Sequence, residues 1–147
     1  MQSIIYKGPG KFAIEDRPKP IIKKADDVMI KVLGVCICGT DINIFATPQK
    51  HPSRPGIIFG HEFCGQVVEV GEAVTSLKPG DKVIVDPHGP CGYCDACRAG
   101  LPEMCKNLYL DEPGLEGQAN AMGVFKDGGL TSYTLVPEKF AYKIAAD

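Results

Sequence analysis

Four cysteines lie within one stretch of fifteen positions: Cys91, Cys94, Cys97 and Cys105. Their spacing is Cys-x2-Cys-x2-Cys-x7-Cys, and each two-residue gap allows a tight turn that brings two sulfurs towards one ion. Gly92 and Gly100 supply the backbone freedom that such turns require. Four thiolates complete a tetrahedral zinc site and leave no position open for a substrate. The stretch therefore predicts a structural zinc site.

Disulfide bonds and an iron–sulfur cluster are the two other uses that these cysteines allow. Cysteines this close in sequence are poorly placed to form disulfides, and nothing else in the sequence resembles a secreted protein. An iron–sulfur cluster favours the run Cys-x2-Cys-x2-Cys-x3-Cys-Pro, whereas the last gap here is longer and no proline follows Cys105. Structural zinc is the favoured interpretation of the three.

A second set of candidate ligands consists of Cys38, in Cys38-Gly-Thr-Asp41, and of Gly60-His61-Glu62. Cysteine, histidine and carboxylate are ligands of zinc sites that keep one position open for chemistry. Asp41 is a candidate acceptor for the second imidazole N–H, which would fix the tautomer that faces the metal. Taken singly, each signal is weak, because a lone histidine is more often structural and a lone cysteine more often a small buried residue.

Composition places the chain among ordinary globular proteins. It has 147 residues, 44% hydrophobic and 23% charged, with a net charge of −2, which predicts one domain with no nucleic-acid or membrane partner. The apolar run Ile4–Tyr6 is too short for a signal peptide or a membrane span. Seven cysteines without an export signal indicate a reducing compartment, so we expect a cytoplasmic location.

The elements that must position these ligands are short strands. The 17 glycines and 12 prolines separate brief runs rich in valine and isoleucine, a pattern typical of a mainly β (β-rich α+β) fold. A short helix is predicted after Gly39, capped by Thr40 or Asp41 and ending near Phe45. No Gly-x-Gly-x-x-Gly follows a strand, so these residues predict no dinucleotide-binding fold. The predicted strands are Ser3–Lys7, Phe12–Asp16, Val28–Val35, Glu62–Val70, Asp81–Asp86, Thr131–Val136 and Phe140–Ile144.

Several motifs together resemble the N-terminal, GroES-like catalytic domain of zinc-dependent medium-chain alcohol dehydrogenases, especially the polyol (sorbitol-like) and threonine dehydrogenases. The resemblance covers nearly the whole chain. It implies a partly open β-barrel with a protruding structural-zinc lobe. The matching motifs are Cys38-Gly-Thr-Asp41, the Gly-His-Glu signature from Gly60 to Val74, Gly80-Asp-Lys-Val83, the four-cysteine lobe and Gly128-Gly-Leu-Thr-Ser-Tyr133.

The resemblance also implies a mechanism. A catalytic zinc held by Cys38 and His61 binds the substrate alcohol or polyol and lowers its pKa, and hydride then passes to NAD or NADP to give a ketone or aldehyde. Thr40 lies where the family begins its proton relay, and Asp41 is the expected outer partner of His61. Glu62 is the carboxylate beside the zinc, either as a direct ligand or in an outer role.

In the full-length enzyme that the resemblance implies, residues 1–147 are the GroES-like catalytic domain and a Rossmann domain follows to bind the cofactor. We therefore expect these residues alone to be inactive as a dehydrogenase, and the full-length enzyme to be a homodimer or homotetramer. The alternative is a non-catalytic GroES-like zinc module that serves in partner binding.

Four other residues lie near the motifs in sequence, two cysteines and two phenylalanines. Cys36 and Cys64 are predicted to be small packed residues. Phe45 and Phe59 flank the two ligand motifs, and pocket lining and core packing explain these aromatic residues equally well.

Overall fold

Seven strands form two antiparallel sheets in the part of the chain that the computed structural model describes, residues 1–109, 116–117 and 119–144. Strands β1 (Gln2–Gly8) and β2 (Lys11–Asp16) make a hairpin. Its turn contains Gly8 and Gly10, whose φ angles of 121° and 68° strongly favour glycine. The predicted mainly β fold is confirmed.

The larger sheet has five strands in the order β6-β3-β4-β5-β7. These strands are β3 (Asp27–Cys36), β4 (Glu62–Val70), β5 (Lys82–Val85), β6 (Tyr133–Pro137) and β7 (Ala141–Lys143). The two central strands, β3 and β4, approach closely where Gly65 lies against the Lys31 carbonyl group, with no space for a side chain. This close approach holds together the two strands whose ends lie beside Cys38 and His61.

One face of this sheet carries the main core. Buried residues alternate with more exposed ones in β4 and β5, as the period of two predicts, whereas β3 is buried continuously from Asp27 to Ile30. Each buried apolar side chain contributes about 1.5–3 kcal/mol through burial. The core residues are Val28, Ile30, Phe63, Val67, Leu77, Val83, Val85, Met122, Val136, Phe140 and Ala141.

A second core joins the β1–β2 hairpin to helix α1 (Gly39–Phe45). Tyr6 stacks on Phe59 with ring centroids 5.7 Å apart, and Phe45 packs beside both rings. Phe59 is buried, so core packing accounts for these two phenylalanines.

The four-cysteine stretch forms a separate lobe between β5 and β6. It contains the short helix α2 (Asp95–Arg98) and two 3₁₀ turns, Pro102–Met104 and Lys106–Leu108. The sequence did not predict these elements, because turns of three or four residues carry little hydrophobic periodicity.

All seven predicted strands form within two residues of their expected bounds, and the start of β6 differs most. Thr131 makes only an isolated pairing with Ser3, and β6 begins at Tyr133. Phe140 ends a 3₁₀ turn (Glu138–Phe140), so the last strand is Ala141–Lys143 instead of Phe140–Ile144. None of the helices in the described part of the chain is long and apolar enough to cross a membrane.

Candidate metal centres

Cys38 lies between the end of β3 and the start of α1, as the N-cap residue of the helix. The Cys38 sulfur accepts a hydrogen bond from the Thr40 N–H at 3.3 Å, and the Cys38 backbone N–H donates to Asp41 Oδ2 at 2.9 Å. The N-cap is therefore Cys38 instead of the predicted Thr40 or Asp41, and Asp41 makes the reciprocal bond of a capping box. The Cys38 sulfur takes the acceptor role that hydroxyl and carboxylate side chains usually fill.

His61 and Glu62 lie at the start of β4. His61 is buried with 6% of its surface exposed, whereas the Glu62 side chain is 48% exposed. Strands β3 and β4 are antiparallel neighbours, and Cys36 pairs with Glu62. The end of one strand therefore lies beside the start of the next, which brings together ligands 23 residues apart in sequence.

The three side chains form one compact cluster. Cys38 Sγ lies 3.3 Å from His61 Nε2, His61 Nε2 lies 3.9 Å from Glu62 Oε1, and all three ligand atoms lie within 4.8 Å of one another. Tetrahedral zinc with ordinary bond lengths would separate sulfur from nitrogen by about 3.6 Å and nitrogen from oxygen by about 3.4 Å. The donor set and its spacing fit a zinc ion with three protein ligands.

Asp41 contacts both halves of this cluster. Oδ2 accepts from the Cys38 N–H, and Oδ1 lies 3.2 Å from His61 Nδ1 in a bent contact. The contact with Asp41 raises the pKa of His61 to about 9, against the opposing effect of burial, and Cys38 adds to the increase. Asp41 lies on the Nδ1 side of the imidazole while Nε2 faces Cys38 and Glu62, an arrangement in which a carboxylate can orient a histidine ligand.

Replacement of Asp41 by asparagine is expected to weaken metal binding at this cluster by about 10–100-fold above pH 9, because the imidazole loses its carboxylate partner. Below pH 9 a proton competes with the metal for His61, so wild-type affinity falls by about tenfold per pH unit. Asp41→Asn lowers the pKa of His61, so the variant escapes much of this competition. The ratio of wild-type to Asp41→Asn metal affinity should therefore shrink as the pH falls towards 7. Competition titrations at several pH values measure it, and a ratio independent of pH would contradict the assigned role.

The lobe cysteines form a second cluster. Cys91 and Cys97 have sulfurs 3.9 Å apart, and the Cys94 sulfur lies 3.5 Å from that of Cys97 and 4.0 Å from that of Cys105. Tetrahedral zinc places its sulfurs about 3.8 Å apart, whereas a disulfide requires about 2.05 Å. The spacing fits a closed four-thiolate site, and these cysteines are free thiols.

The thiols of the lobe differ in their tendency to ionise. Burial acts to raise the pKa of Cys91, but hydrogen bonds from the Tyr93 and Cys94 backbone and from neighbouring thiols lower it to about 6. Burial, aided by the adjacent thiols, raises the pKa of Cys97. A dication that binds all four thiolates has to displace the protons that remain on them, and the free-energy cost of this displacement is largest at Cys97.

The two cysteines outside the clusters, Cys36 and Cys64, are not fully buried. Cys36 is exposed, so the prediction that it is packed is wrong. A register shift between the pairs of Val32 and Gly34 disturbs the alternation of β3, which the sequence pattern does not show. Cys64 is only partly buried.

The sequence analysis did not identify Gly123 and Gly128, which lie close to the backbone that precedes His61. The consecutive glycines 128 and 129 were a sequence signal of such a close backbone approach.

Comparison with known proteins gives consistent matches. Residues 24–146 match the family described as "Alcohol dehydrogenase GroES-like domain". The starvation-sensing protein RspB of Escherichia coli K12 is 38% identical over 144 residues, which cover 98% of this chain and 39% of RspB. The L-threonine 3-dehydrogenase of Caldanaerobacter subterraneus subsp. tengcongensis is 43% identical over 115 residues, which cover 77% of this chain and 30% of that enzyme.

Among solved structures, a Sinorhizobium meliloti 1021 protein assigned as a zinc-binding dehydrogenase, with NADP bound, superposes with a TM-score of 0.77 at 35% identity. The match covers 98% of this chain and 38% of that one. The chain thus spans less than half the length of each of these three proteins.

Proposed function

The chain belongs to the alcohol dehydrogenase GroES-like domain family, and from this we propose that it is the catalytic domain of an NAD(P)-dependent zinc dehydrogenase. The substrate is a primary or secondary alcohol or a polyol, which is oxidised to an aldehyde or a ketone. One observation carries the proposal: Cys38, His61 and Glu62 present three ligand atoms within 4.8 Å. Three ligands leave one tetrahedral position open for substrate, as in catalytic zinc sites.

In this proposal each residue has a separate task. Cys38 and Glu62 supply two negative ligands and His61 a neutral one, which together balance the charge of a dication. A zinc ion bound there supplies the Lewis acidity that lowers the pKa of a substrate alcohol. Asp41 keeps Nδ1 of His61 protonated, so that Nε2 carries the lone pair that binds metal. Thr40 is assigned to the first step of proton removal, because its N–H bond to the Cys38 sulfur keeps it beside the cluster.

Glu62 is assigned as a direct ligand. Its Oε1 lies 3.9 Å from His61 Nε2, about half an ångström more than tetrahedral zinc predicts. Its side chain is 48% exposed, so a small rotation towards the metal costs little packing. The lobe cysteines Cys91, Cys94, Cys97 and Cys105 are assigned to the structural zinc.

The remaining parts of the activity are assigned outside these residues. NAD or NADP would bind to a Rossmann domain of the full-length protein, in keeping with the greater length of the relatives. Residues 1–147 would then act as a single GroES-like domain. The homodimer or homotetramer and the cytoplasmic location, where thiols stay reduced, are parts of the same proposal.

The test is metal content combined with ligand access. The purified chain, loaded with Co²⁺ in place of zinc, should bind two equivalents, and added imidazole should change the visible spectrum of one of them. The closed four-thiolate site has no position for imidazole, so its bands should stay unchanged and serve as an internal reference. Binding of a single equivalent, with no response to imidazole, would instead support a non-catalytic zinc module, which needs no second cluster.

A further inference from the structure

The backbone that leads into His61 is surrounded by a group of glycines, here called the glycine cluster: Gly60, Gly123, Gly128 and Gly129. Gly60 itself has a φ angle of +91°, which strongly favours glycine, and a side chain there would lie 2.8 Å from Leu130 Cγ. His61 thus follows a peptide whose conformation depends on a segment more than 60 residues later in the chain.

Hydrogen bonds fix this later segment against the residues before His61. The N–H groups of Gly128 and Gly129 donate to the carbonyl oxygens of Ile58 and Gly60, each at 2.8 Å. The Asp127 carboxylate accepts from the Ile58 N–H, also at 2.8 Å. The segment 58–60 is therefore hydrogen-bonded along its length before it reaches the metal cluster.

The glycine cluster also permits a backbone contact that no larger residue allows. A methyl group on Gly128 would overlap the Gly60 carbonyl oxygen, and one on Gly123 would overlap the same oxygen and lie 2.7 Å from the His61 nitrogen. The obstacles are backbone atoms, so the clash cannot be relieved by rotation of a side chain. A methyl group on Gly128 would also lie 2.4 Å from Gly123 Cα, so either substitution has to change how the 121–130 segment packs against the Gly60–His61 peptide.

We propose that Gly123 and Gly128 are positioning residues for the metal centre of Cys38, His61 and Glu62. They act through the Gly60–His61 peptide and place His61 Nε2 at 3.3 Å from Cys38 Sγ. The inference rests on the proposed function, since it concerns the metal of that same cluster. It adds that the ligand geometry is determined in part by the residue 121–130 segment, which contributes none of the three ligands.

The experiment compares Gly128→Ala with Gly56→Ala in the Co²⁺-loaded chain. Gly128 does not have a positive φ, so its substitution adds the contact without backbone strain, whereas Gly56 has φ +95° and open space around it. Gly128→Ala should lower the affinity of the imidazole-responsive site at least tenfold and keep the four-thiolate spectrum. Gly56→Ala should keep both metals at wild-type affinity. That result would show that backbone strain at a glycine does not by itself release the metal from the imidazole-responsive site.

A second readout separates this inference from the proposed function. In the metal-free chain, NMR shifts of the His61 amide and ring should change in Gly128→Ala and stay near wild type in Gly56→Ala. If wild type binds only one metal, the proposed function fails, and these shifts still decide whether the glycine cluster positions His61. If Gly128→Ala does not fold, Asp127→Ala, which removes the bond to the Ile58 N–H, should still weaken the second site several-fold. Unchanged metal affinity and unchanged His61 shifts in the folded variant would overturn the inference.

Discussion

Replacement of His61 by alanine is expected to reduce the metal content of the chain from two equivalents to one. The imidazole is the most buried of the three ligands and the nearest to Cys38, and two remaining ligands, one of them 48% exposed, cannot surround an ion. The loss should exceed the roughly 100-fold that removal of an outer partner costs. The four-thiolate site should keep its metal, because it shares no residue with this cluster.

Elemental analysis and Co²⁺ titration measure this loss. His51→Ala is the matched control, since that histidine lies in a loop, its ring Nδ1 lies 2.8 Å from the Pro52 carbonyl oxygen, and it belongs to neither described cluster. It should retain two equivalents. Retention of both metals in His61→Ala would show that the cluster of Cys38, His61 and Glu62 does not depend on the imidazole, and the catalytic proposal would fail with it.

Replacement of Cys105 by serine is expected to unfold the lobe while leaving the large sheet folded. Cys105 is fully buried and its sulfur also accepts the Cys91 N–H at 3.3 Å. Structural zinc contributes about 10–16 kcal/mol of apparent binding free energy in small zinc domains. Tyr93, Leu101 and Met104 of the lobe are largely exposed, so little apolar packing is available to replace the metal.

Limited trypsin digestion should detect this local unfolding. Arg98 and Lys106 lie inside the lobe, and cleavage there should become about tenfold faster or more in Cys105→Ser. Far-UV circular dichroism should change little, because the main core contains no lobe residue. Cys36→Ser provides the control, as this exposed thiol belongs to neither cluster. An equally resistant lobe in Cys105→Ser would refute a zinc-dependent structure.

Residue spacing predicted that the lobe cysteines form a cluster, because all four lie close together in the sequence. The Cys-x2-Cys gaps confine the possible sulfur positions so strongly that the observed separations of 3.5–4.0 Å follow with little help from the rest of the fold. The strands were likewise predictable from short valine- and isoleucine-rich runs. The largest difference in their bounds is at the start of β6, which begins two residues later than predicted, and at the last strand a 3₁₀ turn replaces the first expected residue.

The cluster of Cys38, His61 and Glu62 was less predictable, because its geometry is produced by long-range pairing. Cys38 and His61 meet only because β3 and β4 are neighbours, and residue spacing does not determine strand order. The role of Cys38 as N-cap was missed because sulfur is an uncommon capping acceptor. The glycine cluster was missed because its members come close only after the 121–130 segment crosses the start of β4.

Because the ligands leave from two adjoining strand ends, the connection between them does not set their separation. At the tip of that connection Pro48, Lys50 and Pro52 are exposed, and exposed loop tips accept insertions and replacements more readily than any other part of a domain. Such a tip can change in length and shape without moving the strand ends β3 and β4 beside which Cys38 and His61 lie.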